Sequence, residues 1–239
     1  MRHLADADVL ALWERGAPRH PLDRALVLCA WAREDLDPTS LADLPLGVVN
    51  AALVTLRRAS FGSRIEARVD CERCGEPLEI ALDAGALAAA APGAEPGGEC
   101  EIQGFRFRAP STRDLAAVAG ERSQDDAALR LLDRCCVARP AGEALELEAL
   151  VPEVERALER LDPAADLELA LTCEACGHAW QAGLDIAALL WNEVAVRAGS
   201  VLADVHRLAL AYGWTEREIL RLSPARRAAY LQMVEVASA

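Results

Sequence analysis

Cys71-Glu72-Arg73-Cys74-Gly75 and Cys173-Glu174-Ala175-Cys176-Gly177 are two copies of one pattern, C-E-x-C-G, and their reading decides the fold. The match continues on both sides of the cysteines. Ile65-Glu66-Ala67-Arg68-Val69-Asp70 aligns with Leu167-Glu168-Leu169-Ala170-Leu171-Thr172, and Leu82-Asp83 with Leu184-Asp185. A single offset of 102 positions aligns all of it without a gap. Apolar residues alternate before and after each knuckle, which predicts strands over 65–70 and 77–82 and a second pair within 166–184. The chain therefore holds two strand–knuckle–strand units, each with two thiols.

A closed tetrahedral zinc site needs four thiolates converging at about 2.3 Å from the metal. Neither knuckle has that number, so Cys71, Cys74, Cys173 and Cys176 are read together as one structural site for one zinc per chain. A glycine after the second cysteine of each pair allows the positive φ that turns backbone N–H groups toward sulfur. Two independent turns with incidental cysteines would leave the matching pattern unexplained. A redox role fits less well, because a redox CxxC opens a helix whose dipole lowers the thiol pKa. The spacing Cys176-Gly177-His178 is not a haem attachment site. His178 is a possible substitute ligand, although a solvent-facing hairpin position is the simpler expectation. Cys29, Cys135 and Cys136 fall within predicted helices, Cys29 and Cys136 on apolar faces, as small buried hydrophobes. Cys100 stands near a strand start without a thiol partner in its local sequence.

The 239 residues are 53% apolar, enough to bury a sizeable core without help from a metal. Arginines, 25 of them with no lysine, face 38 acidic residues, for a formal charge of −13. An acidic surface repels phosphate backbones and suits a protein that meets other proteins. The N-terminus lacks a signal-peptide layout and the most apolar stretches are short and alanine-rich, so a cytoplasmic protein with reduced thiols is expected.

Helices are expected on both sides of the knuckles. Val9, Leu10, Leu12 and Trp13 form a stripe that Gly16 can close in a left-handed conformation. Pro21 opens a second helix to Arg33, Thr39 or Ser40 caps a short third, and Pro45 opens a fourth that ends at Phe61-Gly62. Residues 84–91 are a short helix, and Pro92 to Gly98 a turn or linker. Cys100 to Ala109 is a hairpin around Gly104. Pro110 to Asp114 caps one helix, and Ser123 caps another with Leu129, Leu132 and Cys136 on its buried face. Residues 138–149 are loop-like, and a helix through Val154, Leu158 and Leu161 stops at Asp162-Pro163. A long helix over about 186–211 ends at Gly213. Thr215-Glu216-Arg217-Glu218 is a capping box, and Ser223-Pro224 starts the last helix.

No nucleophile, base and orienting group stand together, and none of the common phosphate, nucleophile-elbow or zinc-protease motifs occurs. His3 and His20 lie near a terminus and a loop, and His206 in mid-helix is expected to be partly buried. A site closed by four thiolates keeps no position open for water, so no enzyme activity is expected. The tail from Val196 carries six arginines against four acidic residues, with Tyr212, Trp214 and Tyr230 as interface-type aromatics. It either folds onto the body of the protein or docks a partner.

With these residues in view, the chain resembles the baseplate hub assembly chaperones of T-even-type phages, in the form found with phage-tail-like contractile injection systems. The resemblance is carried by Leu44-Pro45-Leu46-Gly47-Val48-Val49-Asn50, the stretch from Leu53 through Arg57 to Phe61-Gly62, and the first knuckle. Phe105-Arg106-Phe107-Arg108-Ala109-Pro110 with Arg113-Asp114-Leu115 follows, then the second knuckle with Leu184-Asp185-Ile186 and Leu190-Trp191. The tail, Ala211 to Leu220 with Ser223-Pro224 and Arg226 to Tyr230, is similar to a baseplate-associated helical module. It covers most of the chain, and the order of the pieces carries it more than any single motif. It implies a non-enzymatic role in building a baseplate, with baseplate or tail proteins as partners, and no membrane or small-molecule substrate.

The expected fold class is α+β: split zinc-ribbon-like β-hairpins flanked by N-terminal and C-terminal helical regions. The expected division is residues 1–62 as an N-terminal helical region, 63–187 as a split zinc-ribbon core with an insertion over 84–164, and 188–239 as a C-terminal helical module. The function expected is assembly of, or structural membership in, a contractile tail baseplate. The alternative is a zinc-ribbon accessory protein of transcription or nucleic acid, which the net charge disfavours.

Overall fold

The computed structural model describes residues 3–90, 97–139 and 147–238. Helices α1 (Asp6–Gly16), α2 (Pro21–Ala32) and α3 (Leu46–Phe61) come first, with a 3-10 turn at Leu41–Asp43. Strands β1 (Arg64–Asp70) and β2 (Pro77–Asp83) follow, then α4 (Ala84–Ala90). Next come β3 (Glu99–Ile102), β4 (Phe105–Arg108), α5 (Thr112–Val118), α6 (Gln124–Cys135), β5 (Cys136–Ala138) and α7 (Leu147–Leu161). The chain closes with β6 (Glu168–Thr172), β7 (Ala179–Gly183), α8 (Ile186–Tyr212), α9 (Glu216–Leu220) and α10 (Pro224–Ser238). All sheets are small and antiparallel: β1-β2, β3-β4-β5 and β6-β7. The class is α+β.

The repeat seen in the sequence is also a repeat in register. Val69 faces Leu78 and Asp70 faces Pro77 in the first hairpin, while Leu171 faces Trp180 and Thr172 faces Ala179 in the second. Each of these positions is displaced by 102. The helices that leave the hairpins start alike. Asp83 accepts from the Ala86 amide at 2.8 Å, and Asp185 accepts from the Ala188 amide at 2.9 Å. An aspartate at this position satisfies one of the orphan donors of a helix N-terminus.

The main core is helical. Leu12, Leu28, Leu53, Leu56, Leu190 and Leu208 are fully buried in it, and Ile65 and Leu167 bring in the first residues of both hairpin units. N-terminal and C-terminal helices thus share one apolar interior. Ile219 of α9 and Leu231 of α10 belong to it, so the tail folds onto the body. Tyr212, Trp214 and Tyr230 close that corner, with ring centroids 4.7 and 4.9 Å apart. Of the tail arginines, Arg197 and Arg227 pair with Asp6, Arg207 with Asp204 and Glu235. A smaller core, Phe105, Phe107, Leu132, Cys135, Leu150 and Val154, lies inside the segment between the two hairpins.

That intervening segment is fixed to the start of α3 at two places. Leu46 donates its amide to Pro110 O at 3.0 Å, and Pro45 and Ser111 form a bridge. Gly47 donates to the buried Asp162 carboxylate at 2.9 Å, and Asn50 Nδ2 donates to Ala164 O at 2.8 Å. A negative charge at the first turn of a helix is favourable, and here it comes from a residue 115 positions away. Gly47 is required by this approach, because a Cβ there would lie 1.8 Å from Asp162 Oδ1.

Several local expectations are corrected by packing. Gly16 is not left-handed; the helix continues in the right-handed region through Ala17. Its glycine serves a close approach, since a Cβ there would meet Trp191 Cζ3 at 2.4 Å. Cys136 begins β5 instead of lying in α6, and the buried thiol of that turn is Cys135. His206 is exposed. Helix α7 starts at Leu147, inside the stretch expected to be a loop; positions 140–146 of that stretch, and 92–96 of the expected linker, lie outside the described residues. Among the described residues one helix, α8, is long and apolar enough to cross a membrane by length and composition. Its Leu190, Trp191, Val194, Ala198, Val201, Val205 and Leu208 face the main core.

A second buried carboxylate, Asp114, orders the intervening segment. It accepts from Ser111 N and Oγ in a capping box, from Arg108 at 2.7 and 3.1 Å, and from Arg134 at 3.0 Å. Burial alone raises its pKa, but Arg108 and Ser111 outweigh that and hold it at about 2. A depressed folded pKa contributes stability above the unfolded value of about 3.9, which is lost as pH falls from there toward 2.

Two outcomes follow from these anchors. Gly47→Ala is expected to destabilise by about 1–3 kcal/mol through overpacking against Asp162; a thermal melt equal to that of the parent would refute the contact. Asp114→Asn is expected to lower stability at neutral pH by on the order of 1–3 kcal/mol and to flatten the acid limb between about pH 4 and 2. Denaturant titrations across that range measure it, and an unchanged pH profile would remove Asp114 from the account.

Candidate metal centre

Each knuckle is a tight turn closed by the same two backbone hydrogen bonds. Gly75 N donates to Cys71 O and Cys71 N to Glu76 O, at 2.8 and 2.9 Å. Gly177 N donates to Cys173 O and Cys173 N to His178 O, both at 2.8 Å. Gly75 and Gly177 have φ of +72° and +69°, a region that L residues with a side chain rarely adopt. The hairpin register then fixes where the turns point, because β1-β2 and β6-β7 pair to the residues flanking the cysteines.

The two turns meet in a crossed arrangement. Cys71 Sγ lies 3.8 Å from Cys176 Sγ, and Cys74 Sγ lies 3.7 Å from Cys173 Sγ. All four sulfurs lie within 4.8 Å of one another. A regular tetrahedron with metal–sulfur bonds of about 2.3 Å has sulfur–sulfur edges of about 3.8 Å. The four cysteines expected from the sequence therefore stand at the corners of a possible metal site. Cys71 and Cys173 are buried, Cys176 is half-buried and Cys74 is exposed. The buried and exposed positions correspond between the copies, so the site has one face against the protein and one toward solvent.

The thiols do not ionise independently. Burial opposes ionisation of Cys71, but the Cys74 and Arg73 amides and the neighbouring thiols bring it down to about 7. The Glu76 amide favours the Cys74 thiolate, yet the Cys176 sulfur, burial and the other thiols push it up to about 12. Sulfurs this close share protons, and a divalent cation replaces those protons by attracting all four thiolates at once.

His178 is not one of the group. It is half-buried, not solvent-facing, and its ring stacks on Trp180 with centroids 5.6 Å apart. The remaining thiols play no part. Burial pushes Cys29 up to about 11 and Cys135 up to about 12, as in apolar packing positions. Cys100 and Cys136 face Phe107 from either side in the three-stranded sheet. No other group of metal-ligating side chains gathers among the described residues.

Sequence reasoning missed the residues that brace the hairpins. Arg57, almost fully buried, donates from Nε and Nη2 to Glu193 of α8 and from Nη1 to Gly62 O at 2.7 Å. It joins the helix before the first hairpin to the helix after the second. A buried arginine inside an apolar helix pattern was the available signal, and its partner 136 positions away was not. No family model, no curated protein and no solved structure matches this chain.

Cys71→Ser and Cys173→Ser each remove one buried corner and are expected to lower the thermal midpoint by similar amounts. The double variant is expected to cost little more than either single change, because residues of one site are not additive. Summed losses in the double variant would show two independent turns.

Proposed function

We propose that this chain is a non-enzymatic, zinc-binding assembly or structural protein of a contractile phage tail or phage-tail-like injection system. One zinc ion held by Cys71, Cys74, Cys173 and Cys176 joins the hairpins into a split zinc ribbon. The observation that carries the metal reading is the crossed approach of four thiols at tetrahedral spacing. Zinc with four thiolates makes a closed structural site, with no coordination position left for a substrate or water.

The baseplate reading rests on the resemblance, and the placement of its motifs supports it. The stretch from Leu44 to Asn50 holds the intervening segment at Pro110 and again at Asp162 and Ala164. Arg57 ties α3 to α8, Arg108 and Asp114 order the segment, and Trp191 seats against Gly16. These residues hold a shape; none of them makes an open reactive centre. Partners are then other baseplate or tail proteins, met in the cytoplasm or kept in the finished particle. The nucleic-acid alternative has only Arg217, Arg221 and Arg226 of the tail to draw on, since Arg197, Arg207 and Arg227 are paired with carboxylates, and the net charge of −13 disfavours it.

Elemental analysis of the purified protein is expected to give one zinc per chain, lost with chelator together with stability. Iron in its place would give a coloured protein and exclude zinc. The partner reading is tested on native particles: a tagged chain is expected to copurify with baseplate proteins, and its deletion to stop baseplate assembly. Normal baseplates in the deletion strain, with no tail protein bound to the tagged chain, would reject it.

A further inference from the structure

The repeat extends beyond the hairpins. Helix α6 follows α2 at an offset of 103 residues, α7 starts 101 residues after α3, and α8 starts 102 residues after α4. The burial pattern sets the helical phase. Leu150, Val154 and Ala157 of α7 face inward as Val49, Leu53 and Leu56 of α3 do. The chain is thus two copies of a unit in which two helices, a knuckled hairpin and an aspartate-capped helix follow one another.

The copies differ in what the last helix covers. Helix α8 runs over Ile186–Tyr212, and α4 is described over Ala84–Ala90. In the first unit the equivalent surface is covered: α8 lies on α1, α2 and α3, with Ala25 and Leu28 buried and Glu193 bound to Arg57. In the second unit no described helix lies along the corresponding line, since α4 packs on α3 and β2. Beyond Leu87 and Ala90 lies a groove of about 630 Å³ between α6 and α7. Its floor includes Ala128, Leu131 and Leu158, all half-buried. Ala128 and Leu131 occupy the positions of Ala25 and Leu28, and Leu158-Glu159 those of Arg57-Arg58.

Charge selects the occupant. Glu155, Glu159, Asp166 and Glu168 line the groove and are exposed, and among the described residues no arginine or histidine lines it. Neither Glu155 nor Glu159 has an ion pair among the described residues. The corner that is cationic on α3 is anionic on α7. The six residues after Ala90, Ala91 to Pro96, carry no basic side chain and so offer no complement. We infer that this groove docks an amphipathic helix of a partner protein, with an apolar face flanked by arginine or lysine, as α8 covers the first unit. An apolar stripe in a hydrophobic groove with a charged rim is a common helix-docking mode. The inference goes beyond the metal clamp and holds whichever particle supplies the partner.

The test uses a peptide built on the helix that fills the equivalent groove. A labelled peptide of residues 186–203 carrying Glu193→Arg is titrated against the full zinc-loaded chain by fluorescence anisotropy. It is expected to bind about tenfold more tightly than the same peptide with glutamate retained. The double variant Glu155→Arg/Glu159→Arg, both exposed positions on α7, is expected to reverse that preference while its circular dichroism stays that of the parent. Binding by neither peptide, or an unchanged preference in the variant, overturns the inference. Sedimentation of the chain alone supplies the other arm: a dimer abolished by the same double variant would assign the groove to a second copy and overturn a partner helix. A chain purified without zinc that still binds the arginine peptide would count against the metal reading alone.

Discussion

Neither β-hairpin of this protein can stand alone, because a two-stranded ribbon in water is at best marginally stable. Each presents one half-buried face and leaves the other to solvent. What fixes them is the meeting of four sulfurs at their tips and the entry of Ile65 and Leu167 into the helical core at their bases. Closing a loop of about a hundred residues costs on the order of 5 kcal/mol of chain entropy. A metal held by four thiolates would offset that cost, because its four ligands gather only when the loop is closed. Everything between the knuckles therefore has its two ends set close together before its own packing is counted.

The segment between the hairpins keeps a core of its own, but small polar contacts fix its orientation. Asp162 stands at the start of α3 and Asp114 gathers Arg108, Arg134 and the Ser111 cap. Apolar contacts are non-directional and would tolerate a range of angles between the two cores. A buried carboxylate tolerates very few, because each lone pair left without a donor costs about 1–3 kcal/mol or more. Arg57 with Glu193 does the same between α3 and α8.

Read as a duplication, the molecule is a common frame with one asymmetry. The hairpin registers, glycine turns and aspartate caps coincide between copies. The final helix does not. Helix α8 covers the first unit and brings Leu190, Val194, Val201 and Leu208 into the main core, whereas an acidic groove lies between α6 and α7 of the second.

The sequence by itself determined the four cysteines, the strands around them, the positive φ of Gly75 and Gly177, the caps at Ser111, Ser123 and Thr215 and the α+β class. These features are local, or repeat within the chain, so residue type and spacing suffice to reveal them. Only the tertiary structure decided the crossed pairing of Cys71 with Cys176 and of Cys74 with Cys173, and the stacking of His178 on Trp180. It also decided that Gly16 and Gly47 serve close approach instead of a turn, and that Asp162 and Arg57 are buried with partners over 100 residues away. Such pairings depend on which surfaces meet. A helical pattern shows that a face is apolar, but the partner across that face is set by the closure of the whole chain.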